Sequence, residues 1–471
     1  MSAAATPQDP GGRNPGTSLA DGGLEDQIGQ WRAYVRNHAV ISSADADELE
    51  HHLRDQISDL GASGLSADEA FLVAVRRMGR LDDISREFAR EHSERLWKQL
   101  VLTGDAAPTD VQTGRRRELM VAVGLAVAAA VSIKIPALFG ISMVDSDSFY
   151  ALNLSLFTLP FLAALLAWKR RLSPGVAVAM LAPPFLIGAL VANAYPFDES
   201  GSTIVLAAVH LPVALWFAVG LAYVGGDWRN HARRMDFIRF TGEWVVYFTL
   251  LALGGAVLVG LTIAGFNALN LDPEPLVAEW VLPCGAAGAV VIAGWLVEAK
   301  QDVVENIAPV LTAVFTPLTT LLLAGYLVLM LASGNPLDLD RDLLMLADVI
   351  LVLVLGLVLY AVSARDHQSP PGPFDRMQLL LVALALVIDG LVLVTMLGRF
   401  GEFGTSPNRV AALGLNVVLL VNLVWSARLQ WGFLRGGRLA PVARWQTTYL
   451  PVFAVWASLV AVVLPIAFGW G

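Results

Sequence analysis

Residues 379–398 read LLLVALALVIDGLVLVTMLG, twenty positions with a single charge at Asp389. At 1.5 Å rise per residue, a helix of that length covers about 30 Å, the apolar thickness of a bilayer. The run has no polar stripe of the kind that a surface helix shows to water. Ten more runs of the same kind flank it. The eleven spans are read as about 118–139, 148–168, 174–195, 203–224, 237–265, 276–298, 308–332, 343–363, 375–398, 408–430 and 448–468. No water-soluble domain covers so many helices that are apolar on every side. The expected fold class is all-α, a polytopic transmembrane helical bundle of about 11 spans preceded by a small cytoplasmic four-helix domain.

Composition agrees. The chain has 471 residues, 56% hydrophobic and 15% charged, with a mean hydropathy of +0.60. Soluble domains carry about 25% charge. Residues 1–100 hold 17 acids and 11 bases, against 24 and 21 in the remainder. An acidic soluble domain is repelled by nucleic acid and by anionic lipid. Its expected contact is therefore a cytoplasmic protein or the membrane part, with no direct nucleic-acid binding. Residues 1–23, rich in Pro, Gly and small polar residues, read as a disordered lead without the apolar core of a signal peptide. Residues 103–114 (TGDAAPTDVQTG) read as a mobile linker, and 115–471 as the transmembrane domain.

Loop charge sets the expected orientation. The loops before the odd-numbered spans hold 17 Lys and Arg, among them Arg115–Arg117, Lys169–Arg171, Arg229, Arg233 and Arg234. The opposite loops hold only Arg341, Arg399 and Arg409. This alternation predicts a multi-pass protein of a bacterial inner (plasma) membrane, with the N-terminus in the cytoplasm and the C-terminus outside. Trp168, Tyr195, Tyr223, Trp280, Trp295, Trp431, Trp445 and Trp470 fall at span ends, as an interfacial aromatic belt would.

Between 24 and 100 the apolar spacing is helical. Four helices are expected, at about Leu24–His38, Ala44–Leu60, Ser66–Gly79 and Asp82–Leu100. Leu49, Leu53, Ile57 and Leu60 stripe the second, and Ser66 with Glu69 forms a capping box at the start of the third. Glu48, His51, His52 and Asp55 have helical i,i+4 spacing. They lack the His-Glu-x-x-His zinc pattern and read as solvated charges. The single cysteine, Cys284, reads as a small buried hydrophobe. No metal site and no cofactor are expected.

The order of the ELEHHLRDQI helix, the GLSADEAF helix start, the RRMG stop and the EFAREHSERLWKQ exit resembles the permease prefix domain of bacterial membrane proteins, over residues 24–102. That resemblance implies a cytoplasmic regulatory helical domain ahead of a permease-like membrane part. By the same resemblance it implies a PadR-like transcription regulator as partner. The stretches 306–328 (NIAPVLTAVFTPLTTLLLAGYLV) and 399–423 (RFGEFGTSPNRVAALGLNVVLLVNL) resemble a bacterial membrane family of unknown function, which implies no substrate, cofactor or catalytic residue.

Ionisable residues inside a membrane are costly and point to function. Lys134 and Asp389 lie at similar expected depths, about 16 and 14 residues into their spans, and are expected to pair across the bundle. His210 and Asn416 complete the substrate- or ion-pathway candidates. Asn153, Asn193 and Asn422 are expected to hydrogen-bond between helices, and Glu243 to pair with an arginine near the inner interface. Arg399, Glu402 and Arg409 form an expected external charged cluster. Ser406 is expected to cap the tenth span, with Pro407 in its first turn. No catalytic constellation is present, so an enzyme is not expected. Two readings stay open: a permease-like transporter regulated by its prefix domain, or a membrane sensor and signalling scaffold that relays envelope state through that domain.

Overall fold

The structure is a computed structural model. It describes residues 24–25, 28–29, 43–62, 65–77, 109–143, 145–299, 307–332, 341–365 and 369–471. The chain divides into two compact units, Met1–Pro108 and Thr109–Gly471. Every regular element among the described residues is helical.

In the first unit, α1 (Ser43–Ala62) and α2 (Ala67–Arg77) pack together. Leu53, Ile57 and Leu60 from α1 meet Ala70 and Ala74 from α2, with Ile28 closing the cluster. Leu53, Ile57 and Leu60 of the stripe read from the sequence thus form the core face, and burying each large aliphatic contributes about 1.5–3 kcal/mol. Arg54 adds a clamp. Its guanidinium donates to both oxygens of Glu25, at 2.6 and 2.8 Å, and to Glu50 one turn away at 2.9 Å. The capping box closes in one direction: the backbone N–H of Ser66 donates to Glu69 at 3.1 Å, and the Ser66 hydroxyl also donates to Glu69. Of the first expected helix, residues 24–25 and 28–29 are helical. The fourth lies outside the described residues.

Among the described residues, the second unit contains eleven helices long and apolar enough to cross a membrane. They are α3 (Thr109–Ser132, extended by a 3-10 turn at Ile135–Phe139), α4 (Asp147–Lys169), α5 (Pro174–Ala194), α6 (Ser202–Tyr223), α7 (His231–Ala268), α8 (Glu274–Ala299), α9 (Ile307–Ala332), α10 (Arg341–Ala364), α11 (Pro373–Phe403), α12 (Pro407–Leu434) and α13 (Ala440–Ala467). Each expected span falls on one of them. Asn230 starts α7 by accepting hydrogen bonds from the Ala232 and Arg233 amides. Ser406 stands at the cap position of α12 with Pro407 in the first turn, but its side chain makes no capping bond.

Proline shapes two helices in a way the spans alone did not predict. In α8 the π segment Val277–Val281 runs up to Pro283, and in α13 the π segment Leu459–Val463 runs up to Pro465. Proline has no N–H for the carbonyl four residues back. The helix widens by one residue ahead of it, so Leu282 donates to the Val277 carbonyl and Leu464 to that of Leu459.

Packing sorts the helices into two groups. One core joins α4, α5, α6, the first turns of α7 and α8, around Leu162, Leu166, Leu211, Leu215 and Phe240. A smaller cluster adds α3 to α4 and α8. A second large core joins α9, α10, α11 and α12 around Leu323, Leu351, Leu381, Ile388, Leu419 and Leu423. Met235 and Ile238 of α7 meet Val362, Phe433 and Val442 to connect the groups. Gly414 lets α12 approach α13, since a Cβ there would lie 1.9 Å from the Trp456 ring. Apolar side chains such as Leu138, Phe139, Leu253, Val257, Leu258 and Leu329 stand well exposed, which suits a hydrocarbon surrounding and not water.

The expected aromatic belt holds in part. Trp168, Trp280 and Trp431 are exposed. Tyr223 is buried, and Tyr195 packs against Trp470 with centroids 4.7 Å apart.

Candidate functional site

The structure does not bring Lys134 and Asp389 together. Pro136 helps end the α-helical part of α3, and Lys134 sits at the start of the 3-10 turn that follows. Its ammonium donates to the backbone carbonyl of Glu279 and lies 4.4 Å from the centroid of the Trp280 ring. That carbonyl is the one four residues before Pro283, which has no N–H to offer it. Lys134 therefore meets a need created by proline in α8. Moreover, α3 packs on α4 and α8, whereas Asp389 lies on α11 in the other core. Matched depth in the sequence did not mean proximity.

Asp389 is fully buried, at 0% exposure, and neither carboxylate oxygen has a hydrogen-bond partner. It lies about 24 Å along α11 from its start and about 21 Å from its end, close to the middle. Asp348 on α10 follows Ala347, which belongs to the same core as Ile388 of α11. The Asp348 carboxylate accepts a hydrogen bond at 2.8 Å from the amide of Asn416 on α12. That amide also donates to the Ala412 carbonyl at 2.9 Å and touches the Met396 sulfur at 3.7 Å. Asn416 is itself 0% exposed, and its carbonyl oxygen has no partner. Three helices of one core thus contribute a buried carboxyl, a half-buried carboxylate and a buried amide.

The helices of this core hold most of the unpartnered polar atoms of the bundle. Eight of the thirteen buried, unpartnered side-chain N and O atoms among the described residues lie on α9–α12, against two on α3–α8. Besides Asp389 and Asn416, they belong to Thr316, Tyr360, Gln378 and Gln430. Gln378, Gln430 and Tyr360 lie within about 10 Å of the basic end of their helices, counted by residue rise. The buried face of α9 adds Thr312, Thr319 and Thr320. Each unsatisfied buried polar group costs about 1–3 kcal/mol. Native proteins keep few, and a concentration of them in one region asks for an explanation.

The remaining candidates are accounted for locally. The His210 imidazole Nδ1 donates to the Leu206 carbonyl of its own helix at 2.9 Å. It belongs to α6, outside the α9–α12 core. Asn153 and Asn193 exchange amide hydrogen bonds at 3.2 and 2.8 Å. Asn422 donates to Gln446 at 3.1 Å, Gln446 to Ser426 at 2.7 Å, and the Trp445 indole to the Asn422 carbonyl, which ties α12 to α13. Arg409 donates to the Gly404 carbonyl at 2.8 Å. The side chain of Glu402 lies outside the described residues, so the expected cluster with Arg399 has no geometry to report. Among the described residues there is no group of His, Cys, Asp and Glu able to hold a metal ion.

Reasoning from the sequence missed Asp348. It lies inside the span read as 343–363, only seven residues from the start of α10, where Arg341 and Asp342 also stand. It also missed Glu298, buried on α8. This carboxylate accepts two hydrogen bonds from Arg170, at 2.8 and 3.0 Å, and faces Lys169 at 3.6 Å. A run of acid–base pairs thus closes the basic end, where Arg365 and Asp375 meet at 3.0 Å.

Comparison with protein-family models, curated proteins and solved structures yields no match for this chain.

Proposed function

We propose that the protein is a multi-pass inner-membrane, permease-like transporter. In this reading the Asp389–Asp348–Asn416 site binds and releases the coupling proton, and the acidic N-terminal unit regulates the cycle. The observation that carries it is Asp389, a carboxyl at the middle of a helix with no exposure and no partner for either oxygen. An ionised aspartate at the centre of a membrane helix costs about 2.5–3.5 kcal/mol on insertion scales. A group kept there without a counter-ion has a low-energy form only when it carries a proton, and exchanging that proton is work a transporter uses. Asn416 and Asp348 lie toward the other end of the helices from Gln378 and Gln430, so polar groups stand on both sides of it. The substrate that moves with the proton is not specified by these groups.

The distribution of 17 basic residues against 3 supports the orientation with the N-terminal unit and the basic helix ends in the cytoplasm. The acidic unit then meets a cytoplasmic protein, a PadR-like regulator by its resemblance to permease prefix domains. The test is proton movement. The purified protein is placed in vesicles containing a pH-sensitive dye, and a pH gradient is imposed. The expected result is a flux that Asp389→Asn abolishes while the variant inserts and stays monodisperse. Vesicles that remain proton-tight with the wild-type protein would favour the sensor and scaffold reading instead.

A further inference from the structure

A groove on the second unit lies apart from the Asp389 site, and it has the dimensions and chemistry of a lipid site. It has a volume of about 300 Å³ and runs between α5, α6 and α13, with Phe237 of α7 at its inner wall. Small side chains make room for it: Ala214 and Ala218 on α6 and Ala454 on α13. On α6 the lining extends from Ala214 to Val224, ten residues, or about 15 Å of helix. That is half the apolar thickness of a bilayer, about 30 Å. The groove is therefore about as long as one leaflet is thick, and its walls are almost wholly apolar.

One end is different. Trp228 and Arg234 line it where α6 gives way to α7. The Arg234 guanidinium donates through Nε to the Trp228 carbonyl and through Nη1 to the Thr447 carbonyl at 3.0 Å. Its Nη2 has no hydrogen-bond partner, and no carboxylate pairs with it among the described residues. The adjacent Arg233 does have an acid, Asp227 at 3.6 Å. Arg234 is thus a half-buried cation, fixed in place by two backbone carbonyls, with donors left over at the mouth of an apolar groove. Trp228 stands beside it, its ring 5.5 Å from the guanidinium carbon and half exposed. Tryptophan and arginine at this level are the residues that meet lipid headgroups.

We infer that this groove holds an anionic phospholipid of the leaflet at the basic end, with one acyl chain along α6 and the phosphate on Arg234. A free phosphate would gain nothing from a 15 Å apolar wall, an uncharged lipid without a phosphate would leave the charge of Arg234 unanswered, and phosphatidylcholine, which carries the same phosphodiester, would bring its choline cation beside Arg229 and Arg234 around Trp228. The site is independent of the proposed role of Asp389.

The probe is phosphatidylglycerol, read by native mass spectrometry of the whole protein released from nanodiscs of equal phosphatidylglycerol and phosphatidylcholine. The wild type should retain one phosphatidylglycerol in preference to phosphatidylcholine. Arg234→Gln should lower that preference at least tenfold, and Arg234→Lys should keep part of it. Ala454→Trp, which fills the groove and leaves the arginine in place, should abolish retention of both lipids. Equal retention of both lipids by the wild type would overturn the inference. So would unchanged retention in Ala454→Trp, or displacement of the lipid by millimolar inorganic phosphate.

Discussion

Removing Arg170 should destabilise the membrane unit, and removing its partner at the same time should undo most of the damage. Glu298 has a side chain only 1% exposed, and Arg170 grips it with two hydrogen bonds. The same guanidinium donates to the Tyr223 carbonyl at 2.8 Å and lies 4.5 Å from the Tyr223 ring. Arg170→Met leaves a buried carboxylate with a weaker neighbour, Lys169 at 3.6 Å. Breaking a buried pair from one side costs about 3–5 kcal/mol. The remaining lysine argues for the lower end, about 3 kcal/mol. At about 2 °C per kcal/mol for large domains, the midpoint of thermal unfolding in detergent should fall by about 6 °C. Glu298→Leu alone strands two cations that still reach water and should cost less. The double variant should lose less than the sum of the two single losses, by a coupling energy of about 1–3 kcal/mol. Fluorescence-detected size-exclusion chromatography after heating reads all four proteins of the cycle. If the two single losses simply add, the pair contributes nothing as a pair, and the argument from burial is wrong.

Three further outcomes are expected. Gly414→Ala should lower the same midpoint by the equivalent of about 1–3 kcal/mol, because the new methyl overlaps the Trp456 ring; Trp456→Leu should relieve it, and an unchanged midpoint for Gly414→Ala would contradict the packing. Residues 24–102 expressed alone should be soluble and helical by circular dichroism, and Leu53→Asp should unfold them, since Leu53 is 0% exposed and an unpaired buried charge costs several kcal/mol. The helicity of that fragment should also fall in acid. Hydrogen bonds from Arg54 hold Glu25 below the usual carboxylate range, and those from Ser66 do the same for Glu69. A depressed folded value stabilises above the unfolded value, about 4.3, and that contribution is lost as pH falls through the folded values. Glu69→Gln should flatten the response, and constant helicity from pH 7 to 3 would count against both contacts.

The spans were legible because hydrocarbon is a demanding solvent. Runs such as 379–398 admit no other environment, and the loops bounded by Arg115–Arg117 or Lys169–Arg171 carry charge that no membrane interior takes. The leucine stripe of α1 was legible for the matching reason in water. Pairing across the bundle was not. Lys134 and Asp389 looked alike in depth, but Pro136 places the lysine past the end of its α-helix, and Pro283 provides it with a carbonyl on α8. Neither effect has a signature in hydropathy. Asn416 was visible as a polar residue in an apolar run, whereas its partner Asp348 was hidden by nearby charges at a helix end. Gln378 and Gln430 were hidden in the same way. Which of these share one core depends on how eleven helices are arranged, and spacing along one helix carries no record of that arrangement.

The most direct test of the central claim is access to position 389 from water. In a Cys284→Ala background, Asp389→Cys is treated in oriented vesicles with a charged, membrane-impermeant thiol reagent, added to one side at a time. Leu162→Cys, equally buried on α4, serves as the reference for a sealed core position. A proton site that opens to water in its protonated form, which the neutral thiol stands in for, predicts slow but complete labelling at 389, and none at 162. If position 389 stays unlabelled from both sides for as long as position 162, Asp389 is sealed from water, and the account of this protein as a proton-linked transporter is wrong.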